Sequence, residues 1–288
     1  MSEIKSFIIR AMTEDDLDQA FDLSMAEGWN QTIWDWRLLF DNPDNICIVA
    51  EKNNRVAGTA TALIHENRIA WIGMVLVDKT LRGQGAGRML LVQIIDRLKH
   101  VESVKLDATP AGEPLYRKLG FIEEHKIFRM TCSEMNYSVG NVFGSGSSNI
   151  SSNMIEEIVN LDSIIFGASR SHLLNKLFNS YPGKSFCLKK ENYIDGFISG
   201  RKGSRFNYMG PLCALTETSA RQLISRAIKS LNNQAIALDI PEDKTDLVNW
   251  LESIGFVKQR HFIRMYLKDN PYPGIVNNQY LISGPEFG

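Results

Sequence analysis

Apolar positions in the first half of the chain recur at two periods, every second residue and about every 3.6 residues, which predicts a string of strands and helices. Ser6 to Arg10 reads as a short strand. A helix follows, opening on Thr13 with Asp16 three residues on, a capping-box spacing, and turning Leu17, Ala20, Phe21 and Ser24 to one face. After Gly28, the aromatic run from Trp29 to Trp36 opens a second helix that reaches about Phe40. Ile46 to Ala50 and Arg55 to His65 predict paired strands around Lys52-Asn53-Asn54. A further hairpin at Glu66-Asn67 leads into the apolar strand Arg68 to Val77. Met89, Leu90, Leu91, Ile94, Ile95 and Leu98 then return at helical spacing from a start near Ala86. Lys105 to Phe121 predicts a strand, a turn and a short helix closed by Gly120, a residue suited to the left-handed position after a helix.

From Ser133 to Asn153 the pattern gives way to Gly, Ser and Asn, which predicts a linker at 136–152 between domains at 1–135 and 153–288. The second domain repeats the first. VKLDATPAGEPLYRKLGFIEEHKIFRM and IALDIPEDKTDLVNWLESIGFVKQRHFIRM share Leu-Asp, Gly-Phe and Arg-Met, with Phe121 to Arg129 and Phe256 to Arg264 equally spaced. Upstream, Ile72-Gly73-Met74 aligns with Met209-Gly210-Pro211 and Arg88-Met89-Leu90-Leu91 with Arg221-Gln222-Leu223-Ile224. Gly73 to Arg88 spans fifteen steps and Gly210 to Arg221 only eleven, so a glycine-dense loop is missing from the second domain.

With 288 residues, 44% hydrophobic, 23% charged and net charge -1, the chain is long enough for two globular domains. No apolar run approaches the roughly 20 residues that span a bilayer, and the first residues lack the apolar core of a secretory signal. Near-neutral charge argues against a nucleic-acid groove. Cys47, Cys132, Cys187 and Cys213 lie far apart in apolar contexts and read as buried thiols. The scattered histidines give no zinc-ligand spacing, so no metal is expected. The expectation is a cytoplasmic enzyme of small molecules, with neither nucleic acid nor membrane as partner.

The candidate chemistry sits where the strand ending at Val77 meets the helix near Ala86. Glycines at 83, 85 and 87 let main-chain N–H groups converge, and a helix start adds its unpaired donors and positive dipole end. Arg82 and Arg88 complete a grip suited to a diphosphate. GxGxxG fails, because Arg88 or Leu90 stands where its last glycine belongs; GxxxxGK[ST] fails, because Arg88-Met89 stands where Gly-Lys belongs.

RGQGAG after VLVD resembles the Arg-x-x-Gly-x-Gly signature of GCN5-related N-acetyltransferases (GNATs), and LYRKLGF resembles their helix ending Leu-Tyr-x-x-x-Gly-Phe. The whole chain resembles bacterial members that carry a degenerate GNAT-like C-terminal domain. This resemblance implies an α+β fold: two tandem domains, each a twisted, mostly antiparallel sheet with splayed central strands flanked by helices. It further implies an acetyl-CoA-dependent N-acetyltransferase moving an acetyl group to a primary amine of a small molecule or peptide by direct attack. A non-catalytic acyl-CoA-binding sensor or interaction scaffold is the alternative; either would be a monomer or homodimer.

Site residues are implied by the same resemblance. Coenzyme A would lie against Met74, Val75, Leu76 and Val77 and the loop Arg82, Gly83, Gln84, Gly85, Ala86, Gly87 and Arg88, with a main-chain N–H near Val75 polarising the acetyl carbonyl. Tyr116 would be the general acid, or else a half-buried aromatic covering its helix. Many relatives carry a glutamate on the strand before the grip, yet Ala70 to Val77 contain no carboxylate. Asp107 is the substitute, as a base acting directly or through water, or else a strand-end aspartate bonding nearby backbone. Trp29, Asn30, Trp34 and Asp35 would form the acceptor side, an aromatic box with an acid, unless Trp34 and Trp36 are core anchors. Arg170, Arg201, Arg260 and Arg264 could receive a substrate carboxylate.

Overall fold

The computed structural model describes residues 7–133, 146–232 and 234–288; Ser6 of the expected first strand and residues 136–145 of the expected linker lie outside the described residues. The first half runs β1 (Ile8–Ala11), α1 (Leu17–Ala26), α2 (Ile33–Phe40), β2 (Ile46–Lys52), β3 (Arg55–His65), β4 (Ile69–Val77), α3 (Ala86–Arg97), β5 (Ser103–Ala108), α4 (Glu113–Lys118) and β6 (Ile122–Cys132). The second continues with β7 (Ser147–Asn149), α5 (Ile155–Phe166), α6 (Ser171–Ser180), β8 (Phe186–Lys190), β9 (Tyr193–Arg201), β10 (Asn207–Ala214), α7 (Glu217–Ser230), β11 (Ile236–Pro241), α8 (Thr245–Ser253), β12 (Val257–Leu267) and β13 (Gln279–Leu281). Within the segment expected as linker, β7 pairs with β8 through its main chain.

Local chemistry accounts for the helix starts. The Thr13 N–H donates to Asp16 Oδ2 at 2.8 Å, and Thr32 does the same to Asp35 at 2.6 Å, so both N-termini close as capping boxes. Trp36, Leu38 and Leu39 then bury the inner face of α2 beside Leu17 and Ala20 of α1. On the opposite face of the sheet, Leu90, Leu91 and Ile94 of α3 pack against Ile48, Ala60 and Ile72.

The strands form one thirteen-stranded mixed sheet in the order β1-β2-β3-β4-β5-β12-β6-β11-β10-β9-β8-β7, with β13 on β10. The halves therefore exchange their closing strands. β12 inserts between β5 and β6, bringing Ile263 and Met265 into the core of the first half, while β6 contributes Met130 and Cys132 to the core of the second. The repeated Leu-Asp and Arg-Met dipeptides explain the lock: register sets Arg264 opposite Asp107 and Arg129 opposite Asp239. Each half's arginine thus meets the other half's aspartate, in two bidentate pairs at 2.6–3.0 Å.

The parallel pair β4–β5 holds register only from Ile69–Ser103 to Ile72–Leu106, and Gly73 to Val77 then leave β5. The parallel pair β10–β11 parts in the same way after Met209–Leu238. That second gap is closed by β13, which pairs with β10 at Leu212–Leu281 and Cys213–Gln279. Ile282 continues the seal by donating its N–H to Asp239 O at 3.1 Å. Among the described residues, no such strand enters the first gap.

Candidate active site

Where β4 leaves β5 lies a cleft of about 740 Å³, a volume typical of small-molecule sites. One wall is Gly73 to Val77 and the loop that follows; the floor is Leu115 and Tyr116 of α4; the far wall comes from both halves and includes Arg129, Arg260, Phe262 and Glu286. All the expected cofactor positions except Gln84 line it; Gln84 turns its side-chain oxygen to Lys52 at 2.8 Å.

β4 carries a bulge at the point of departure. Thr59 pairs with Leu76 and Thr61 with Gly73, which leaves Met74 and Val75 opposite one residue of β3. Met74 adopts φ +49°, a left-handed conformation uncommon outside glycine, and Thr59 Oγ1 pins it by donating to Met74 O at 2.7 Å. The bulge removes the main chain near Val75 from the ladder and frees it to face the cleft. A like slip in β10 leaves Gly210 and Pro211 opposite Ser199 of β9, and Pro211 has no N–H to offer.

The loop itself is built for main-chain contact. Gly83 and Gly85 have φ of +78° and +90°, and a carbon added to either would meet nothing within 4 Å, so both open onto the cradle. α3 begins at Ala86, and its first intrahelical bond is from Met89 N–H to Gly85 O at 3.0 Å. The N–H groups of Ala86, Gly87 and Arg88 therefore remain as donors at a positive dipole end. Arg82 donates to Val77 O at 3.2 Å and pairs with Glu27; Arg88 and Lys118 are exposed on the rim. These residues fit a diphosphate-bearing carrier. Sequence reading missed Lys118, two residues after Tyr116.

Tyr116 is 9% exposed, with its ring edge-on to Phe121 at 5.9 Å and Gly112 beneath it leaving no room for a side chain. Burial pushes its phenol up, so the hydroxyl stays protonated and can donate. Asp107 lines the cleft, but both of its oxygens accept from Arg264 and it is an ion-pair partner rather than a free carboxylate. The equivalent Asp239, beside the gap that β13 closes, holds Arg129 in the same way, which points to one structural duty for both aspartates.

Of the four acceptor-side candidates only Trp29 lines the cleft. Asn30 instead clasps the 204–206 segment, its Oδ1 accepting from Arg205 N–H and Phe206 N–H at 3.0 and 2.9 Å. Trp34 stacks edge-on against Tyr181 at 5.1 Å and donates to Ser180. Asp35 caps α2 and accepts from Arg201 Nε at 2.7 Å. These three fasten the halves together. Among the four arginines, Arg170 is bound by Asp162, Arg201 by Asp35 and Glu286, and Arg264 by Asp107; Arg260 alone has no ion-pair partner among the described residues.

The C-terminal tail supplies a carboxylate that is not among the expected site residues. Pro285 O accepts from Trp71 Nε1 at 3.1 Å, and Phe287 is fully buried, so the tail lies as a strap across β4. A carbon added to Gly73 would come within 2.8 Å of Glu286 Cα, which puts this residue against the strand position just before Met74. Glu286 is 2% exposed; Oε1 accepts from Arg201 at 2.6 Å, while Oε2 has only the Gln31 side chain beside it among the described residues. Burial pushes its carboxyl up, with Arg201 pulling against that. The carboxylate absent from β4 is thus brought to β4 by the other half.

The sequence profile described as the acetyltransferase (GNAT) family matches residues 9–121, and that described as an acetyltransferase (GNAT) domain matches residues 158–281. The chain is a tandem GNAT protein. Holothin acyltransferase of Pseudoalteromonas sp. is 24% identical over 86% of this chain and 83% of its own length. A candidate acetyltransferase structure from Pyrococcus horikoshii superposes with TM-score 0.80 at 22% identity, covering 100% of this chain and 98% of that one. A tandem GNAT protein of the clavulanic acid biosynthesis pathway superposes with TM-score 0.65 at 13% identity, covering 90% and 97%. Acyl transfer is the chemistry of this GNAT protein's family, and among the described residues no helix is long and apolar enough to cross a membrane.

Proposed function

We propose that this protein transfers the acetyl group of acetyl-CoA to a primary amine of a small molecule or peptide, at one centre per chain. The observation that carries the reading is the asymmetry of the two gaps: the first opens onto the glycine loop, and the second is filled by β13. On this reading 1–135 is the catalytic unit and 153–288 a degenerate GNAT unit, joined by 136–152, each sheet completed by the other's closing strand. Four cysteines that are all free thiols suit the cytoplasm.

Acetyl-CoA, when bound, supplies a carbonyl open to attack and a thiol leaving group. N–H groups of residues 83–88 hold its diphosphate, with Arg82, Arg88 and Lys118 offsetting charge. Met74 to Val77 offer main-chain pairing to the pantetheine arm, and an N–H near Val75 donates to the carbonyl oxygen. Glu286 takes the proton of the attacking amine. Tyr116 gives one to the departing sulfur.

Amine-dependent thiol release from acetyl-CoA, measured over a broad amine panel, tests the reading; no acceptor-dependent release from any of them overturns it. Tyr116→Phe is expected to lower kcat by about 10- to 1000-fold while sparing acetyl-CoA affinity, since a phenol's help to a thiolate is sizeable but not absolute. Loss of affinity with kcat intact would contradict the assignment.

A further inference from the structure

The far wall of the cleft is charged and almost fully paired. Arg129 is neutralised by Asp239 and Arg264 by Asp107, each through two hydrogen bonds. Two charges remain over. One is a negative charge: Arg201 serves two carboxylates, Asp35 and Glu286, and Glu286 Oε2 has only the neutral Gln31 side chain beside it. The other is positive and belongs to Arg260, which lines the same cleft with its Nε buried and unbonded.

Arg260 is also placed with some care. The β12–β6 register slips between Lys258–Met130 and Arg260–Arg129, so a bulge at Gln259 re-aims the arginine at the point where it enters the cleft. Its guanidinium lies 5.0 Å from the centroid of the Phe262 ring, which also faces Arg129 at 5.1 Å. Arg260 as a whole is half-buried, but its Nε is a buried donor without an acceptor, which is costly, and a second guanidinium stands beside it. Burial, with Arg129 adjacent, pulls Arg260 down only to about 10, so it stays charged at neutral pH. A guanidinium placed in this way is ready to receive an anion that enters the cleft.

We propose that the acceptor amine also carries a carboxylate, received by Arg260 while its amino group lies toward Glu286, so that the substrate is an amino acid or a close derivative. This rests on the reading of the cleft as an acyl-transfer site and adds the acceptor's class. One spare cation and one spare anion on the same wall match a zwitterion. A carboxylate suits the planar guanidinium fork and balances its single charge; a dianionic phosphate would leave one negative charge over.

The test is ligand binding by saturation-transfer NMR to the coenzyme A-saturated protein, using matched pairs that differ by the carboxylate: lysine and cadaverine, ornithine and putrescine, tyrosine and tyramine, histidine and histamine. At least one amino acid is expected to bind about ten- to a hundredfold more tightly than its decarboxylated partner. That gap should close in Arg260→Met and be partly restored in Arg260→Lys. Equal binding within every pair for the parent protein overturns the proposal, as does a gap untouched in Arg260→Met. Tighter binding of O-phosphoethanolamine than of any amino acid overturns the choice of carboxylate. Thiol release is read separately: a carboxylate preference without turnover supports this inference while refuting the reaction, and turnover without the preference does the reverse.

Discussion

Glu286→Gln is expected to lower kcat/KM for the amine by about 10²- to 10⁴-fold, the usual range for removing a positioned general base. The substitution keeps shape and leaves an oxygen to accept from Arg201, which also retains Asp35. Binding of acetyl-CoA should therefore persist. The pH profile separates a base from a prop. A base acts only when deprotonated, and burial raises the Glu286 carboxyl above its ordinary range near ~4.3, so activity of the parent protein should fall on the acid side starting above that range. The variant should lose this acid limb. A variant that keeps the limb, or that loses acetyl-CoA binding together with turnover, would remove Glu286 from the chemistry.

Arg264→Met is expected to destabilise the fold by about 3–5 kcal/mol, because it strands Asp107 as an uncompensated charge in the sheet interior. Asp107→Asn should also be costly, since it leaves Arg264 without its counter-charge. Removing both charges together should cost less than the two single effects added, the mark of a coupled pair. Urea unfolding monitored by circular dichroism reads all three variants. This series also decides what Asp107 does. Were it the base, Asp107→Asn would keep its stability and lose only turnover, and Arg264→Met would leave the fold intact.

How much was legible beforehand follows from range along the chain. The diphosphate grip is local: strand, glycine turn and helix start lie within a few residues, and composition alone marks them. The capping box at Thr13 and Asp16 was equally plain. The same spacing recurs at Thr32 and Asp35, and it was the available signal that Asp35 is occupied with its own helix rather than with a substrate. The tandem repeat was visible as paired Leu-Asp and Arg-Met dipeptides. What the letters did not carry was that the pairs cross, Asp107 to Arg264 and Asp239 to Arg129, because strand exchange depends on which sheet edge each closing strand reaches. Glu286 was hidden for the same reason. It reaches Gly73 through a strap more than two hundred residues later, held by Trp71, Arg201 and the buried Phe287. The bulge at Met74 was likewise silent, since it arises from a register slip against β3 rather than from any residue preference.

The asymmetry between the halves also has a physical source that repeat counting found only in part. Loss of the glycine loop removes an anion cradle. Insertion of β13 then fills the space between β10 and β11 with protein, so the second gap could not admit an extended ligand even with the loop restored.

Isothermal titration of the protein with acetyl-CoA tests this most directly, with the parent chain and Gly85→Val side by side. One molecule per chain is predicted, with binding lost in Gly85→Val, where a branched side chain would have to adopt φ near +90° and project into the cradle. Two equivalent molecules per chain, or unchanged binding in a folded Gly85→Val, would contradict it.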